Sequence, residues 1–589
     1  MNINSTTPFR LPAPGYLRWL APAGEYLLGL NVLDRYYRQR QDKLSGRGFL
    51  RYTLERLDIK YTIASGSLDA IPDTGPVIVV SNHPFGAIEG VMLAELLLQK
   101  RNNVKVLANE YLHRITEISD LFIGVDVFET NNAVTRNSHG LKKAIQHLKS
   151  DGVLLVFPAG EVSSLDFNNY QITDRKWNRI VGLMIRLTGA TAVPVYIEGR
   201  NSRLFHFAGL IHSGLRTLLL VREMLNKRNK TIQLHFGEAI TSKELKPLSS
   251  DKAITSYLRL NTYLLAGSAD NKQGIKNAQK KPEQAIALPV AKNLLVADVA
   301  AIPADCLLIK KNEYEVYCTS ADKLRNVLPE IARLREITFR QVDEGTGLAS
   351  DTDKYDESYL HMFIWNREQQ EIVGAYRMGL VDKLLKNNNP NSLDNLYSKS
   401  LFNFDERFLK SLGGSIELGR SFIRIEYQRQ LGALLLLWKG LTTYAARHPR
   451  YTTFFGPVSI SNSYSKLSRS LLVNYLEIHH YDEKRAQSIK PVNARIKPAS
   501  KFWTRNMLRE IGNGQLISKL IYRMEGDKGL PVLLRQYLNM KGRLVCFNVD
   551  RKFNDSLDGL IIVDLLQAPE KLLAKYMGKQ QAINYLNRK

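Results

Sequence analysis

Short apolar runs alternate with amphipathic stretches along the first half of the chain. Apolar strand-like runs predict a buried β-strand at 76–80 and further strands at 104–108, 152–157, 192–197 and 231–236. Between them, apolar residues recur at helical spacing and predict helices at 87–101, 138–150 and 177–187. Because strands and helices alternate, we expect an α/β layer fold with reactive loops at the strand ends.

The second half has a different pattern. It predicts a strand at 307–317, a long helix at 321–340, strands at 371–380 and 415–424, and an apolar helix containing 431–441. Strands and helices do not alternate regularly here, so we expect an α+β domain built on a mostly antiparallel sheet.

A polar segment separates the two halves. Residues 266–284 are small, polar or charged and have no apolar periodicity to bury. A chain of 589 residues is also too long for one ordinary core. We therefore predict N-terminal amphipathic helices at 1–60, an α/β domain at 61–265, a linker at 266–290 and an α+β domain at 291–589.

The N-terminal region is apolar but interrupted by charge. No window of about 18 uninterrupted apolar residues is present, so we predict no membrane span, and no signal peptide is expected. Residues 16–33 suit helices that lie in a membrane interface, with Arg35, Arg38 and Arg40 following to meet phosphate headgroups. The alternative is a pair of helices packed on the domain itself.

The net charge of +25 favours an acidic partner: nucleic acid, anionic lipid or an acidic carrier protein. No zinc-finger spacing, helix-turn-helix pattern or aromatic basic strand supports nucleic acid, which we do not expect as a partner.

The three cysteines form no CxxC pair, which favours a reducing compartment. No HExxH or Cys/His cluster predicts a metal site, and we expect none.

The first candidate chemistry lies at 77–90, VIVVSNHPFGAIEG, where a strand delivers His83 into a Pro/Gly turn. Histidine suits a general base near neutral pH, and a carboxylate on its far ring nitrogen would fix the tautomer. Glu89 can meet His83 if the histidine lies in the turn and the glutamate in the first turn of the following helix. The alternative is a turn histidine and a solvated glutamate.

Later segments complete a recognisable set. Residues 156–164 are VFPAGEVSS, in which a strand ends in the loop 157–161. Residues 191–199 are TAVPVYIEG, another strand, and Arg136 follows the sequence FIGV at 122–125. Over 75–200 this order resembles the glycerolipid acyltransferases, the lysophosphatidic-acid-acyltransferase-like superfamily. The resemblance implies that His83 takes the proton from a lipid hydroxyl that attacks an acyl thioester, with Glu89 as its partner. It also implies that the acceptor is held by Arg136 and by the loop residues Phe157, Pro158, Gly160 and Glu161.

Two departures from that family affect the substrate. The commoner pattern has an aspartate five residues after the histidine, whereas Glu89 lies at six, as in a subgroup. In that family an acidic residue usually follows Phe-Pro. In this chain Ala159 takes that position, and Glu161 follows two residues later. Because the family's loop is associated with acceptor phosphate, these departures favour a substrate that lacks glycerol phosphate.

The second half carries a set of charged residues. It comprises a basic helix with Arg335, an acidic loop with Asp353 and Asp356, a strand with Arg377, and a strand with Glu417 and Arg420 that we expect to be paired. A structural ion-pair network is one interpretation. The order also resembles the acyl-transferring GNAT-like fold of acyl-homoserine-lactone synthases and ornithine lipid N-acyltransferases. That resemblance implies proton acceptance and amine orientation by Asp353, Asp356 and Glu417, and positioning by Arg335, Arg377 and Arg420.

The C-terminal stretches 528–537, 547–550 and 558–560 also resemble the ornithine lipid branch, although a closing strand and helix without catalytic role is the plainer interpretation.

Together the halves resemble the bifunctional ornithine (amino-acid) lipid synthases. This implies N-acylation of ornithine with a 3-hydroxyacyl group from acyl carrier protein, followed by O-acylation of the new hydroxyl. No bound cofactor is implied; the expected partners are acyl carrier protein, an anionic membrane surface and an amino acid. The expected location is peripheral, on the cytoplasmic face of the inner membrane.

Three alternatives remain open at this stage. The acceptor could be glycine or another amino acid. The chain could be a lysophospholipid acyltransferase with a regulatory second half. It could also be a basic protein that binds a membrane surface or nucleic acid and has lost catalysis.

Overall fold

The computed structural model describes residues 7–9, 21–40, 44–125, 133–166, 171–274, 283–385, 392–428, 432–493 and 502–587. The chain divides into two compact units, which are 1–272 with 499–524, and 273–498 with 525–589. The sequence-based division differs from this in two respects. Helix Asp251–Gly274 continues through the start of the predicted linker, and 499–524 groups with the first unit, not the second.

The first unit is built on a seven-stranded sheet. Its strands are β1 (Ile59–Ser65), β2 (Val77–Ser81), β3 (Val104–Asn109), β4 (Phe122–Val125), β5 (Val153–Val156), β8 (Thr191–Ile197) and β9 (Lys230–Phe236), and β6 (Ser164–Asp166) and β7 (Gln171–Thr173) form a separate hairpin. The spatial order is β1-β9-β8-β2-β5-β3-β4, and all neighbours are parallel except β8 and β9. Parallel strands are covered on both faces, which explains why β2 is buried at every position.

The second unit is built on an eight-stranded sheet. Its strands are β10 (Leu307–Lys311), β11 (Tyr314–Ser320), β12 (Leu360–Asn366), β13 (Glu371–Leu380), β15 (Ser415–Ile423), β16 (Thr453–Ile460), β18 (Arg543–Asp550) and β19 (Ser556–Asp564), and β14 (Phe402–Asn403) pairs with β17 (Lys490–Pro491). The order is β10-β11-β12-β13-β15-β16-β19-β18. All neighbours are antiparallel except β15 and β16, which pair from Ser415–Thr453 to Glu417–Phe455. Beyond Glu417 and Phe455 each strand pairs with its other neighbour, so the two strands separate.

Helices cover both sheets. The first part of the chain carries α1 (Ala21–Leu28), α2 (Leu30–Arg38), α3 (Arg47–Arg56), α4 (Ala87–Lys100), α5 (Ala133–Lys149), α6 (Ile180–Thr188), α7 (Arg203–Ile211), α8 (Ser213–Leu225), α9 (Ser242–Leu245) and α10 (Asp251–Gly274). The middle carries α11 (Lys292–Ala301), α12 (Val327–Gln341), α13 (Val381–Leu384), α14 (Glu406–Leu412), α15 (Ile425–Gln428), α16 (Ala433–Arg447), α17 (Lys466–His479) and α18 (Glu483–Ala486). The last part carries α19 (Arg505–Glu510), α20 (Gly514–Glu525), α21 (Val532–Asn539), α22 (Glu570–Met577) and α23 (Lys579–Leu586). Among the described residues, no helix combines the length and apolar character needed to cross a bilayer.

Two predicted elements differ from the structure. The strand predicted at 307–317 is a hairpin, because Asn312 adopts a left-handed conformation (φ 54°) and reverses the chain between β10 and β11. The helix predicted at 321–340 begins only at Val327, after a short 3₁₀ turn at Ala321–Lys323. Asp298 accepts hydrogen bonds from the backbone N–H groups of Asn326 and Val327, which fixes the start of α12 there.

Candidate active sites

His83 and Glu89 come together at the carboxyl end of β2. His83 lies in the turn after the strand, and Glu89 occupies the first turn of α4, as their spacing requires. The Nδ1 atom of His83 lies 2.9 Å from Oε1 of Glu89, whose side chain is fully buried. Oε1 also accepts hydrogen bonds of 2.8 Å from the backbone N–H groups of Phe85 and Gly86. With Nδ1 turned to Glu89, Nε2 is the ring nitrogen that remains for a substrate.

The turn that carries His83 is held from both sides. The side-chain amide of Asn82 donates to the carbonyl of Ile197 (2.9 Å) and accepts from the Ile197 N–H (2.7 Å), so it extends the pairing of β2 and β8 by one amide. Gly86 has φ 114°, and a Cβ there would lie 2.7 Å from Leu220 on α8. The turn therefore requires glycine at this position.

The surroundings of His83 determine its protonation. Burial lowers the pKa of His83, but the charges of Glu89 and Asp174 raise it and outweigh burial, so the pKa lies above its ordinary value of 6.5. The imidazole ring also stacks on Phe157, with ring centroids 4.5 Å apart. This environment stabilises the imidazolium that forms when the histidine accepts a proton.

Sequence reasoning missed the residues that hold the His83 backbone. The His83 N–H donates to Asp174 (3.2 Å), and the His83 carbonyl accepts from the Ser163 N–H (2.8 Å). Asp174 also accepts from the Ser163 hydroxyl (2.5 Å) and the Trp177 indole (2.9 Å). Asp174 lies 91 residues from His83 in the chain, so no local pattern could have connected the two.

The 157–161 loop lies beside this site. Phe157 contacts His83, and the Pro158 carbonyl accepts from the Asn178 N–H (2.9 Å). Gly160 adopts a left-handed conformation (φ 69°) that completes the turn. Glu161 forms ion pairs with Arg216 (2.5 Å) and Arg175 (3.2 Å), which sequence reasoning had not connected with it. Arg136 lies on α5, but its side chain is outside the described part of the structure.

The charged residues of the second unit form one buried network. Arg335 pairs with Asp351 and Asp356 (both 3.0 Å), and Arg377 pairs with Asp353 (2.5 Å) and Asp356 (3.0 Å). Arg420 pairs with Asp351 (3.0 Å) and Asp353 (3.2 Å). The three arginines and three aspartates thus alternate around a closed ring. Five of these six residues were grouped from the sequence, and Asp351 is the sixth.

The network shifts the pKa values of Asp356 and Arg420. Burial raises the pKa of Asp356, but Arg335 and Arg377 overcome it and hold that pKa well below its usual range. Burial lowers the pKa of Arg420, but nearby Tyr397, Asp351 and Asp353 raise it above its usual value. Asp356 and Arg420 are therefore held in their charged forms.

Glu417 is not paired with Arg420, contrary to the expectation from their spacing. Glu417 is buried and accepts hydrogen bonds from the Tyr359 hydroxyl and from the backbone N–H groups of Tyr397 (3.0 Å) and Ser398 (2.6 Å). Burial raises its pKa. Arg420 instead donates to the Tyr397 hydroxyl (3.1 Å), so the two residues are connected through Tyr397.

A local irregularity in β15 determines the direction of the Arg420 side chain. The pairing of β13 with β15 shifts between Ala375 and Arg377, and Arg420 adopts φ 50° within this bulge. A regular strand would place residues 417 and 420 on opposite faces; the bulge instead directs Arg420 to the aspartates. A bulge of this kind has no reliable sequence pattern.

Comparison with known proteins defines the class of both units. The family described as acyltransferase matches residues 14–272, and the acetyltransferase (GNAT) domain matches residues 334–439. The chain is therefore an acyltransferase enzyme with an acyltransferase domain followed by a GNAT domain.

Two proteins of Phocaeicola vulgatus are among its relatives. The glycine N(alpha)-acyltransferase is 35% identical over 218 residues, which cover 35% of this chain and 66% of that protein. The lyso-glycine lipid O-acyltransferase is 30% identical over 224 residues, which cover 37% of this chain and 76% of that protein. The chain belongs to the family of the lyso-glycine lipid O-acyltransferases. It spans 66% of the length of the N-acyltransferase and 64% of the corresponding protein of Bacteroides thetaiotaomicron.

A similar solved structure is the 1-acyl-sn-glycerophosphate acyltransferase of Thermotoga maritima. It is 18% identical with a TM-score of 0.24, and the match covers 45% of this chain and 95% of that one.

Proposed function

We propose that this enzyme makes an amino-acid lipid in two acyl transfers, and that the acceptor is ornithine. The second unit first acylates the α-amine of the amino acid with a 3-hydroxyacyl group. The first unit then acylates the new 3-hydroxyl. The observation that carries the proposal is the His83–Glu89 pair in a chain that also has a GNAT domain, together with relatives named for N-acylation and for O-acylation of a glycine lipid.

In the O-acylation step, Nε2 of His83 accepts the proton of the lipid hydroxyl as its oxygen attacks the thioester carbonyl. The carbon–oxygen bond forms and the carbon–sulfur bond breaks. The imidazolium, stabilised by Glu89, then returns the proton to the departing thiolate, so that ester and free thiol are the products. A lyso-lipid without phosphate is consistent with a loop in which Glu161 binds Arg175 and Arg216.

In the N-acylation step, the neutral α-amine attacks the thioester carbonyl, so that the carbon–nitrogen bond forms and the carbon–sulfur bond breaks. The proton that the amine loses passes through an acceptor to the departing thiolate, and amide and free thiol are the products. We propose Asp353 as the proton acceptor, because its side chain is 21% exposed whereas Asp351 and Asp356 are 1% and 7% exposed. Asp356, held between Arg335 and Arg377, positions the network, and Glu417 positions the Tyr397–Ser398 turn. Acyl carrier protein, an acidic partner, is the proposed donor for a chain of net charge +25.

We also propose that the first unit binds the surface of an anionic bilayer peripherally, on the cytoplasmic side. Helices α7 and α8 expose six large apolar side chains by 42% to 66%: Leu204, Phe207, Leu210, Ile211, Leu215 and Leu218. On α8, Leu220 packs over Gly86 and Arg216 binds Glu161, so the same helix borders the active site. An exposed apolar face this close to the site suits a substrate that comes from a lipid surface.

Lipid analysis of a bacterium that lacks amino-acid lipids tests the function. Expression of the chain should yield a phosphate-free, ninhydrin-positive diacyl lipid whose headgroup mass identifies the amino acid. His83→Ala should accumulate the monoacyl form, Arg420→Ala should abolish both forms, and the exposed His113→Ala should behave as the wild type. An intact diacyl lipid in the His83→Ala strain would contradict the role of the first unit.

Vesicle sedimentation tests the membrane surface. Replacing Phe207 and Ile211 together with serine removes two side chains worth about 1.5–3 kcal/mol each when buried, so binding to anionic vesicles should fall at least about tenfold. Leu288→Ser, at a residue 89% exposed in the second unit, is the matched control. Equal binding by the double variant and the control would contradict the proposed surface.

A further inference from the structure

Three carboxyl groups lie close together in the second unit, apart from the arginine–aspartate ring. Ser459, Asp558 and Asn548 are direct cross-strand neighbours on β16, β19 and β18, so their side chains share one face of the sheet. Asp550 lies two residues beyond Asn548 on the same face. Glu344, from the loop after α12, accepts a hydrogen bond from the Ser459 hydroxyl (2.8 Å). We call Glu344, Asp550 and Asp558 the acidic pocket.

The acidic pocket has no cation of its own. No ion pair joins Glu344, Asp550 or Asp558 to a lysine or arginine within the described residues, whereas each aspartate of the ring has two arginine partners. Asp558 is 5% exposed and Asp550 is 3% exposed. Burying carboxylates without a partner is costly, and a cation bound among them would relieve that cost.

A second, independent feature indicates that the site is incomplete. Asn548 is fully buried and its Oδ1 accepts from the Asn493 N–H (2.8 Å), but its Nδ2 has no hydrogen-bond partner within the described residues. Because Asn548 lies directly opposite Asp558, this unsatisfied donor is on the face that carries the pocket. A ligand that offers an acceptor as well as a cation would satisfy both features.

The position of the pocket connects it with the ring. Burial raises the pKa of Tyr397, and the charges of Asp558 and Asp550 raise it further. Tyr397 is the residue that joins Arg420 to Glu417. Burial, Asp550 and Glu344 raise the pKa of Asp558, while Arg420 lowers it. The pocket is therefore within electrostatic range of the ring, beside the place where β15 and β16 separate.

We propose that the acidic pocket binds the terminal ammonium of a diamino acid acceptor, with Asp558 at its centre and Glu344 and Asp550 beside it. The proposal rests on the proposed function and adds the residues that determine its substrate. An amino acid attacks the thioester through its neutral α-amine. In that form glycine carries a net charge of −1, which the pocket repels, whereas ornithine keeps its δ-ammonium and is attracted.

The test compares ornithine with norvaline, which has the same carbon chain but no δ-ammonium. Initial rates of N-acylation are measured on the full chain with a 3-hydroxyacyl carrier-protein thioester and ornithine, norvaline or glycine. The wild type should use ornithine at least tenfold better than norvaline, by kcat/KM. Asp558→Asn and Glu344→Gln should reduce that ratio towards one by losing ornithine activity and keeping norvaline activity. Asp564→Asn, on the same strand, should match the wild type.

Folding of the variants can be checked without the reaction. Asn has nearly the shape of a protonated aspartic acid, so Asp558→Asn should fold, and thermal stabilisation by ornithine, with norvaline as control, should be lost in it. A wild type that does not distinguish ornithine from norvaline, or an Asp558→Asn variant that still does, would overturn the pocket assignment. Acylation of glycine alone would overturn the pocket and leave the two-step acylation standing. Acylation of no amino acid would overturn the proposed function and the pocket with it.

Discussion

Two opposing effects act on the pKa of His83, the proposed base of O-acylation. Burial favours the neutral imidazole, and Glu89 with Asp174 favours the imidazolium. The His83–Glu89 pair was predictable because a Pro/Gly turn before a helix brings residues six apart together. Asp174 was not, because the fold alone brings it to the His83 backbone.

Glu89→Gln should change both the rate and the pH dependence of O-acylation. Without the carboxylate, burial dominates, and the pKa of His83 falls from above 6.5 to below it. Since the base must be neutral, the acidic limb of the kcat/KM profile moves to lower pH, while the maximal rate falls by about 10²-fold or more. Glu55→Gln, at an exposed position on α3, serves as control. An unshifted limb would show that Glu89 does not set the pKa of the base.

Arg335→Ala should be strongly destabilising. Asp351 and Asp356 would lose a buried partner, which costs about 3–5 kcal/mol in free energy of unfolding. Lys410→Ala, on α14, removes an exposed i,i+4 pair with Glu406 and should cost about 1 kcal/mol or less. Urea denaturation of both variants measures the difference, and equal costs would mean that the ring adds no stability.

The secondary-structure elements follow the apolar pattern where local sequence dominates. β2, β5 and β8 are the predicted apolar runs of the first half, since strands buried on both faces are apolar throughout. The hairpin of β10 and β11 was predicted as one strand, because Lys310 to Glu313 do not form a strong turn sequence. The bulge that directs Arg420 depends on pairing with β13, which the pattern of one strand does not contain.

The start of α4 is sensitive to the addition of a single methyl group. Gly86→Ala should place a Cβ against Leu220 and force a φ of 114° on alanine, so we expect lower thermal stability and loss of O-acylation. Gly90→Ala, one turn further on the same helix, meets only Phe157 at 3.9 Å and should stabilise the unit by up to about 1 kcal/mol. Equal Tm values for both variants would contradict a strained turn at Gly86.

In the molecule as a whole, the boundary between the units is where the sequence was least informative. Composition indicated one seam near 266–284, but nothing in the sequence marks 499–524 as part of the first unit. The contacts that place it there are side-chain pairs distant in sequence. Arg523 pairs with Glu244 (2.9 Å), and Ser256 donates to Glu510 (2.7 Å).

A fragment of residues 1–274 should therefore be less stable than the same unit in the full chain. It lacks α19 and α20, and Glu244 loses both Arg523 and Lys519 (3.0 Å). Adding a peptide of residues 502–525 should raise the Tm of the fragment, whereas a peptide with Arg523→Ala and Leu520→Ala should raise it less, because Leu520 is buried. Identical melting of the fragment with and without the peptide would contradict this.

The return of 499–524 to the first unit also affects how the protein is made. The chain passes between the units three times, near 272, 498 and 524. At about 5–20 residues per second, roughly ten to fifty seconds pass on the ribosome between the synthesis of α10 and that of α20. During that interval the face that α20 will cover stays open to solvent and to chaperones. The domain translated first is thus completed only when most of the second has been synthesised.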